Sequence, residues 1–284
     1  MEIISNNNGW LRIKAKDFSV FKTFDCGQCF RFDPSADESF EHRVDGVAFG
    51  RSVSFAERDG ELYIRASEED FENIWKAYLA LDTDYAEIDK RIVDALPVSD
   101  RAHMQLAAET GRGIHILRQD PWEALCSFIV SQNNNIPRIK KIISAMSEKY
   151  GEDLGGVYSF PTAEALYNAG EEEIFALRTG FRAKYIYDAA KKVCTGELDL
   201  EAVASAETYD DAAQMLMTVS GVGPKVAACT LLFGFGRTDA FPVDVWIKKV
   251  IEKRFPNGLD YTVFGDVAGI AQQYLFYYER YIEG

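Results

Sequence analysis

The hydrophobic pattern of this chain changes period near Ser67, and this change limits the folds that the chain can adopt. Before it, Leu11 and Ile13 alternate with polar residues, and two further alternating runs flank the turn-forming pair Asp59-Gly60. Alternation with a period of two is typical of a strand with one buried face, and Asp-Gly favours a hairpin. The pattern of the N-terminal part therefore predicts a small antiparallel sheet.

Beyond Ser67 the apolar residues recur at helical spacing, and the pattern stays helical past residue 100. Ser67 and Asp120 each precede an apolar stripe and are predicted N-caps. The predicted fold class is therefore α+β. Residues 1–115 form an antiparallel sheet domain with flanking helices, and residues 116–284 form a mostly helical body.

The overall charge is acidic, but the basic residues are clustered. The 284 residues include 31 Lys and Arg against 45 Asp and Glu, a net charge of −14, which by itself argues against a nucleic-acid partner. Four basic segments contain few or no acids: residues 131–147, 178–192, 212–238 and 245–254. They would form one positive face if the fold brought them together, whereas each taken alone is typical of a solvated helix face.

The sequence contains no apolar run of membrane-spanning length and no basic leader, so we expect a cytoplasmic protein. Five cysteines give no disulfide framework. Cys26 and Cys29 have the spacing of a metal or redox pair. Because no second Cys/His pair accompanies them, we interpret both as structural.

The segment from Gly221 to Lys225, Gly-Val-Gly-Pro-Lys, predicts a hairpin between two helices, at about residues 215–233. The glycines permit a tight turn, and Pro224 suits the first position of the next helix. Backbone N–H groups at such a helix start can bind phosphate. A plain helix–turn–helix corner remains the alternative.

Lys225 and Asp244 are the candidate catalytic residues. The amine of Lys225 lies in the first turn of a helix, where the dipole disfavours its protonated form, and such a lysine can form a Schiff base. Loop 234–244 delivers Asp244 to the start of the following helix. Asp244 is expected to be an N-cap, and its carboxylate can also stabilise positive charge on a substrate. A solvated helix lysine is the alternative for Lys225.

The hairpin with Lys225, followed by Pro-Val-Asp244-Val, resembles the helix-hairpin-helix/GPD superfamily of DNA glycosylases. Further segments are similar to the 8-oxoguanine DNA glycosylase pattern: residues 26–31, 117–121, 127–139, 180–185 and 268–276. The resemblance implies base excision repair, with β-elimination (AP lyase activity) at the lesion. Trp246 stands where eukaryotic members carry histidine, which indicates a bacterial branch.

The resemblance also implies a role for each matching residue. The lesion base, 8-oxoguanine, would contact Gly27, Gln272, Phe276 and Cys229, of which Phe276 and Cys229 otherwise suggest core packing. DNA would contact Asn133, Asn134, Arg138, Phe181, Arg182, Gly221, Val222 and Gly223. Asn133 fills the gap left by the flipped base, and Phe181 is a wedge in place of the tyrosine of animal enzymes. Arg138 and Arg182 read the orphaned cytosine or contact phosphate.

The predicted function is removal of 8-oxoguanine, preferably opposite cytosine, through a Schiff base on Lys225. The expected partner is double-stranded DNA, and a monomer without cofactor or iron–sulfur cluster is expected. The resemblance to the family also implies a cation bound by the backbone carbonyls of Met217, Val219 and Val222. Two alternatives stay open: a glycosylase for alkylated or other oxidised bases, and a non-catalytic DNA-binding module.

Overall fold

A computed structural model describes residues 3–281, and its N-terminal part is a six-stranded sheet in which every neighbouring pair is antiparallel. The strand order is β1-β2-β6-β5-β4-β3. The strands are β1 Ile3–Asn7, β2 Trp10–Ile13, β3 Phe32–Pro34, β4 His42–Ala48, β5 Arg51–Arg58 and β6 Glu61–Ile64. The antiparallel sheet followed by a helical body confirms the predicted α+β class.

The predicted hairpin joins β5 to β6. Asp59 and Gly60 both have positive φ, 53° and 71°, which is the backbone that a two-residue hairpin turn of this type requires. The side chains of Leu11 and Ile13 are fully buried, as their alternation predicted. Strands β1, β3 and β4 were not predicted, because their apolar residues do not alternate regularly.

Helices, joined by loops, make up most of the remaining described chain. Ser67 caps the first helix after the sheet by accepting a hydrogen bond from the backbone of Asp70, and Asp120 caps α6 in the same way. Both predicted caps are confirmed. The helices are α1 Val20–Phe24, α2 Glu68–Asp70, α3 Lys76–Tyr78, α4 Tyr85–Asp94, α5 Arg101–Gly111, α6 Pro121–Ser131, α7 Ile136–Tyr150, α8 Ala163–Ala169, α9 Glu171–Ile174, α10 Ala183–Thr195, α11 Leu200–Ser205, α12 Tyr209–Met217, α13 Pro224–Gly234, α14 Val245–Arg254 and α15 Ala268–Tyr281. Short π or 3-10 turns occupy Phe71–Trp75, Phe175–Thr179, Gly180–Arg182 and Tyr261–Val267.

Two hydrophobic clusters form the interior, one beneath the sheet and a larger one within the helical body. Helices α4 and α5 contribute to the helical cluster although they precede residue 115. The chain between α1 and β3 crosses from one cluster to the other, since Cys26 is buried in the helical cluster and Cys29 in the sheet cluster. The boundary at residues 115/116 stays a prediction, because residues from both sides of it share a core.

The two thiols of Cys26 and Cys29 therefore face different cores. Burial raises the pKa of Cys26 to about 12 and raises that of Cys29 as well. Such thiols stay protonated and packed, which supports the structural interpretation of this pair. Within residues 3–281, no helix is both long and apolar enough to span a bilayer.

Candidate active site

A cavity of about 1000 Å³ opens where the hairpin between α12 and α13, the loop before α14, helix α15 and the segment after α1 meet. Its walls include both candidate catalytic residues and all four predicted base-contacting residues. They also include most of the predicted DNA-contacting residues. The lining residues that the sequence predicted are Gly27, Asn133, Asn134, Arg138, Phe181, Gly221, Gly223, Lys225, Cys229, Asp244, Gln272 and Phe276.

The hairpin has the backbone that its two glycines predicted. Gly221 has a φ of +75°, and Gly223 is the extended N-cap of α13. Val222 closes the turn through a 3.0 Å bond from its N–H to the Val219 carbonyl, and its side chain is buried. The N–H groups of Gly221, Gly223 and Lys225 make no hydrogen bond within residues 3–281. The turn therefore presents several donors at a helix N-terminus, which is an arrangement that binds phosphate.

Lys225 follows the hairpin in the first turn of α13, and its half-buried side chain enters the cavity. Its Nζ lies 3.5 Å from the hydroxyl oxygen of Ser131 and 5.8 Å from the centre of the Phe128 ring. Ser131 donates its own proton to the Phe128 carbonyl at 2.8 Å. The Ser131 oxygen is therefore an acceptor for the amine, and both neighbours lie on α6.

Asp244 is the N-cap of α14, as its position predicted. One carboxylate oxygen, Oδ1, accepts hydrogen bonds from the N–H groups of Trp246 and Ile247, both at 2.9 Å. The second oxygen makes no hydrogen bond to any residue that the structure describes. The cap fixes the carboxylate, while the remaining oxygen is available to the cavity that Asp244 lines.

The segment that carries Gly27 is held rigidly at the wall of the cavity. Gly27 has a φ of +80°, and a Cβ there would lie 3.6 Å from Ile136 and 3.8 Å from Phe276. The Gln273 amide donates to the Cys26 carbonyl at 3.0 Å. Gln28 is buried, and its side chain bonds three backbone groups of the surrounding loops. These bonds fix the backbone on both sides of Gly27.

The pocket next to Gly27 is apolar with one unsatisfied acceptor. Phe276 and Cys229 are 8% and 5% exposed, and burial raises the pKa of the Cys229 thiol. Gln272 is 4% exposed, yet its buried Oε1 has no hydrogen-bond partner in the described part of the chain. An unpaired buried amide oxygen is costly, so this oxygen can accept a hydrogen bond from a molecule that enters the cavity.

The rim of the cavity carries the turn between α6 and α7. Asn133 lies at the tip, exposed and with a φ of +48°, and its side-chain amide makes no hydrogen bond within residues 3–281. Asn134 differs from Asn133 because its amide donates to the Val130 carbonyl and accepts from the Asn135 N–H. The Asn133 side chain is therefore exposed without a hydrogen-bond partner among the described residues, whereas the Asn134 side chain holds the turn.

Phe181 and Arg138, two of the predicted DNA-contacting residues, are exposed at the rim, whereas Arg182 is not. Arg182 is 2% exposed, and its guanidinium donates to the backbone carbonyls of Gln132, Asn133 and Thr179. Arg138 makes a single long hydrogen bond, 3.5 Å, to a backbone carbonyl. The two arginines, predicted as a pair of base readers, therefore have different surroundings.

The four basic segments meet around this cavity. Each segment contributes residues to its walls, among them Arg138, Phe181, Lys225 and Lys248. Arg138 and Lys248 are exposed and form no ion pair within the described residues. Three of the four segments therefore place a basic side chain at the cavity, which supports the positive face that the charge pattern predicted.

Several lining residues were not identified from the sequence. Phe128 and Ser131 lie on α6, almost a hundred positions from Lys225, and no local pattern connects them to it. Arg280 lies one helical turn beyond Phe276, with its guanidinium 5.5 Å from the centre of that ring. The (i, i+4) spacing on α15 was the available signal for Arg280.

The described residues contain no cluster of three or more His, Cys, Asp and Glu side chains that could hold a metal. At the hairpin, the carbonyls of Met217 and Val222 accept no backbone hydrogen bond within residues 3–281, so they are available to a cation. The Lys192 ammonium bonds the adjacent Thr218 carbonyl and pairs with Asp188 at 3.1 Å. A cation at Met217, Val219 and Val222 stays a prediction.

Comparison with known families gives two adjoining matches. The model of the 8-oxoguanine DNA glycosylase N-terminal domain matches residues 10–125. The model of the HhH-GPD superfamily of base excision DNA repair proteins matches residues 126–258. The two matches are consecutive and correspond to the sheet-bearing part and the hairpin-bearing part.

Similar proteins agree with this assignment. A solved structure described as MBOgg1 in complex with a low affinity DNA ligand is 39% identical, with a TM-score of 0.88 over 99% of this chain and 98% of that one. The Clostridium acetobutylicum 8-oxoguanine glycosylase/lyase, in complex with DNA containing cytosine opposite 8-oxoguanine, is 36% identical, with a TM-score of 0.87 over 98% of each chain. The Saccharomyces cerevisiae N-glycosylase/DNA lyase is 36% identical over 172 residues, 55% of this chain and 45% of the yeast protein. The chain therefore belongs to the 8-oxoguanine DNA glycosylase family of the HhH-GPD superfamily.

Proposed function

We propose that this protein removes 8-oxoguanine from double-stranded DNA and then cleaves the strand by β-elimination. The observation that carries the proposal is the single cavity that holds Lys225, Asp244 and the four base-contacting residues together. Family membership supports the reaction class, and two of the similar solved structures are complexes with DNA. A protein that used the hairpin only for DNA binding would have no need of the buried, unpaired Gln272 amide oxygen.

Lys225 is the proposed nucleophile. Its neutral amine attacks C1′ of the flipped nucleotide, the bond from C1′ to N9 breaks, and the base leaves with the electron pair and takes up a proton. Opening of the sugar ring converts the C1′–amine adduct into a Schiff base. Loss of a proton from C2′ then expels the 3′ phosphate together with the C3′–O electron pair. Ser131 and Phe128 hold the amine toward the cavity by the contacts described above.

Asp244 is the proposed electrostatic partner. Positive charge develops on the sugar as the base leaves, and a fixed carboxylate stabilises it. Because the two backbone bonds to Oδ1 hold the side chain in place, little reorganisation is needed during the reaction. Asp244 therefore acts as an N-cap and as a catalytic group at the same time.

Recognition of the lesion is proposed to rest on Gly27 and Gln272. 8-Oxoguanine carries a hydrogen at N7, where guanine has only an acceptor, and the Gly27 carbonyl would accept that hydrogen. The Gln272 amide would pair with the Watson–Crick edge, and its buried oxygen gains the donor that it lacks. Phe276 and Cys229 would enclose the two faces of the base.

DNA binding is proposed to use the hairpin N–H groups for phosphate, Asn133 for the gap and Phe181 as a wedge. Cytosine is the proposed opposite base. The protein is proposed to act as a monomer in the bacterial cytoplasm without a cofactor, and a cation at the hairpin carbonyls would only support the turn.

The test is a nicking and trapping assay. A duplex with 8-oxoguanine opposite cytosine should be cleaved, and borohydride should convert the Schiff base into a stable protein–DNA adduct. Lys225→Gln should abolish both results, while Lys90→Gln, on α4 and outside the cavity, should abolish neither. Normal excision by Lys225→Gln would refute the assignment of the nucleophile.

A panel of lesion duplexes tests the substrate. Because the Gly27 carbonyl is proposed to accept the N7 hydrogen that guanine lacks, duplexes with 8-oxoguanine should be cleaved and duplexes with guanine should not. Faster release of an alkylated purine than of 8-oxoguanine would support the alternative glycosylase and refute the proposed specificity.

A further inference from the structure

One face of helix α10 contacts the hairpin between α12 and α13. Tyr185, Asp188 and Lys192 lie three and four positions apart on that helix, so their side chains share a face. Their partners on the hairpin are, in the same order, Gly221, Ser220 and Thr218. We infer that these three residues, the α10 clamp, preform the hairpin for DNA phosphate, with Asp188 and Lys192 as positioning residues. This inference rests on the proposed function.

Asp188 binds a backbone N–H group of the hairpin. Its Oδ2 accepts a hydrogen bond from the N–H of Ser220 at 2.7 Å, and an ionised acceptor makes such a bond stronger than a neutral one. Ser220 directly precedes Gly221, which has the positive φ of the turn, so the bond fixes the backbone where it changes direction. The N–H groups of Gly221, Gly223 and Lys225 make no hydrogen bond within residues 3–281 and stay available to phosphate.

Lys192 balances the charge of Asp188 and makes a second contact with the hairpin. Its Nζ lies 3.1 Å from Oδ2 of Asp188, and the two side chains are 18% and 24% exposed, respectively. Partial burial would raise the pKa of Asp188, but the Ser220 N–H and Lys192 together hold it below its usual value, so the carboxylate is ionised at neutral pH. The same ammonium donates to the Thr218 carbonyl. Each member of the ion pair therefore binds one backbone group of the turn.

Tyr185 completes the clamp at the tightest point of the turn. A Cβ on Gly221 would lie 2.4 Å from the Tyr185 ring, so the glycine backbone and the ring are in close contact. The ring also meets Phe181, the proposed wedge, edge-on with 5.9 Å between the ring centres. The clamp therefore joins the phosphate-binding turn to the residue that is proposed to enter the DNA stack.

A preformed turn improves DNA binding because less conformational freedom is lost when the DNA arrives. Without the clamp, the phosphate itself would have to order the hairpin N–H groups. The amine of Lys225 is contacted from a different helix, α6, through Ser131. Loss of the clamp should therefore weaken DNA affinity more than it slows the chemical step.

The sign of one substitution separates the clamp from simple electrostatics. Asp188→Ala removes a negative charge close to the phosphate-binding turn, which by charge alone would tighten DNA binding. Loss of the clamp predicts the opposite, a dissociation constant raised on the order of tenfold for a duplex with a tetrahydrofuran abasic analogue. Asp210→Ala removes one exposed charge from α12 and should bind at least as tightly as the wild type. Tighter binding by Asp188→Ala would overturn the inference.

Two neighbouring lysines give a second comparison. Lys192→Met and Lys191→Met remove the same charge from α10, but Lys191 is exposed and lies outside the hairpin contacts. Affinity should fall on the order of tenfold with Lys192→Met and less than about twofold with Lys191→Met. Lys192→Arg, which keeps the charge and can donate to both partners, should recover most of the affinity. Equal losses with Lys192→Met and Lys191→Met would contradict the inference, because Lys192 would then act through its charge alone.

Two further measurements identify a positioning role. Asp188 and Lys192 act as one unit, so adding Lys192→Met to Asp188→Ala should cost less than about a further twofold in affinity. Single-turnover excision at saturating enzyme should fall by less than about threefold in either variant, a smaller change than the loss of affinity. Full additivity in the cycle, or equal losses of rate and affinity, would show that the pair only maintains the overall structure and would refute the positioning role.

Thermal unfolding of each variant identifies unstable proteins. If Asp188→Ala is unstable, Asp188→Asn takes its place, because its amide oxygen can still accept the Ser220 N–H but cannot form the ion pair. Weaker binding remains the expected result, and tighter binding the result that contradicts it. Binding to the abasic duplex involves no chemistry. If the wild type binds this duplex but does not excise 8-oxoguanine, the proposed function fails, while the affinities still decide the role of the clamp.

Discussion

The amine of Lys225 lies 3.5 Å from the hydroxyl oxygen of Ser131, and that hydroxyl is itself turned away, because it donates to the Phe128 carbonyl at 2.8 Å. The oxygen can therefore accept a hydrogen bond from the amine but cannot donate one to it. Donation to the nitrogen would occupy the lone pair that a nucleophile needs. The contact thus orients the amine and leaves its lone pair available.

Replacing Ser131 by Ala should slow the reaction without abolishing it. The loss of one long hydrogen bond is worth about 1 kcal/mol, so the single-turnover rate should fall about 3- to 10-fold. Borohydride trapping should still yield the adduct, more slowly. Ser144→Ala on α7, whose hydroxyl bonds the surface residue Glu148, is the matched control and should leave the rate unchanged. A Ser131→Ala rate equal to that of the wild type would show that the contact does not orient Lys225.

Gly221 should not tolerate a side chain. Its φ is +75°, and a Cβ there would meet the ring of Tyr185, which in turn contacts the exposed Phe181 edge-on at 5.9 Å. Gly221→Ala should lower both the free energy of unfolding and the affinity for DNA, because the backbone would be strained and the Tyr185 ring would be displaced.

Gly196 provides the matched control for this prediction. It has the same φ, 75°, at the end of α10, and a Cβ there would meet nothing within 4 Å. Gly196→Ala should cost about 1 kcal/mol of stability with DNA binding unchanged, and Gly221→Ala about 1–3 kcal/mol more. Chemical denaturation and fluorescence anisotropy measure the two quantities. Equal losses of stability and of affinity in the two variants would contradict the prediction.

Glu123 should make the protein less stable as the pH rises toward neutrality. Burial raises the pKa of its carboxyl to about 7, although Arg31 lies 3.5 Å away and opposes the shift. Between the unfolded pKa of about 4.5 and the folded value, the folded state binds more protons, so stability falls with increasing pH in that range. The loss is complete above pH 7 and amounts to about 3 kcal/mol.

Glu123→Gln removes the titrating group and keeps the shape of the side chain. Between pH 5 and pH 8, the free energy of unfolding of the wild type should fall by about 3 kcal/mol more than that of Glu123→Gln. Urea denaturation at both pH values gives the difference. Parallel pH profiles for the two proteins would show that the Arg31 contact cancels the effect of burial.

The local elements of this fold were predictable from the sequence, because each depends on residues within a few positions. The buried alternation at Leu11 and the N-caps at Ser67 and Asp244 are of this kind. Long-range relationships were not predictable. The Gln273 amide holds the Cys26 carbonyl across 247 positions, and no periodicity indicates which residues meet at such a distance.

The sequence was sufficient to name the residues of the site, whereas the burial and contacts of these residues could be learned only from the structure. The motif resemblance named Arg138 and Arg182 as equals, because sequence spacing carries no information about burial. Their difference arises from the carbonyls of the rim turn, which happen to converge on Arg182 alone. Likewise the sequence gives no sign that the Gln272 oxygen is left without a partner.

The acidic net charge of the chain makes the salt dependence of DNA binding a sensitive test of the positive face. Lys248 is exposed at the cavity rim on α14 and forms no ion pair among the described residues, so it is available to a phosphate. Each phosphate contact releases condensed counterions, and the slope of log K against log salt changes by about 0.9 for each contact. Lys248→Ala should therefore reduce the magnitude of that slope by about 1.

Lys90→Ala is the control, since Lys90 is equally exposed but lies beside Glu87 and Asp94 on α4. The Lys90→Ala variant should leave the slope unchanged. Any weakening of DNA binding by this variant should be slight and confined to low salt, where the Debye length is long and distant charges are less screened. Anisotropy titrations between 50 and 200 mM salt, a range in which such contacts change affinity by orders of magnitude, measure both slopes. An equal slope change in both variants would mean that DNA responds to the net charge. A change confined to Lys248→Ala means that DNA responds to the local arrangement of charges around the cavity.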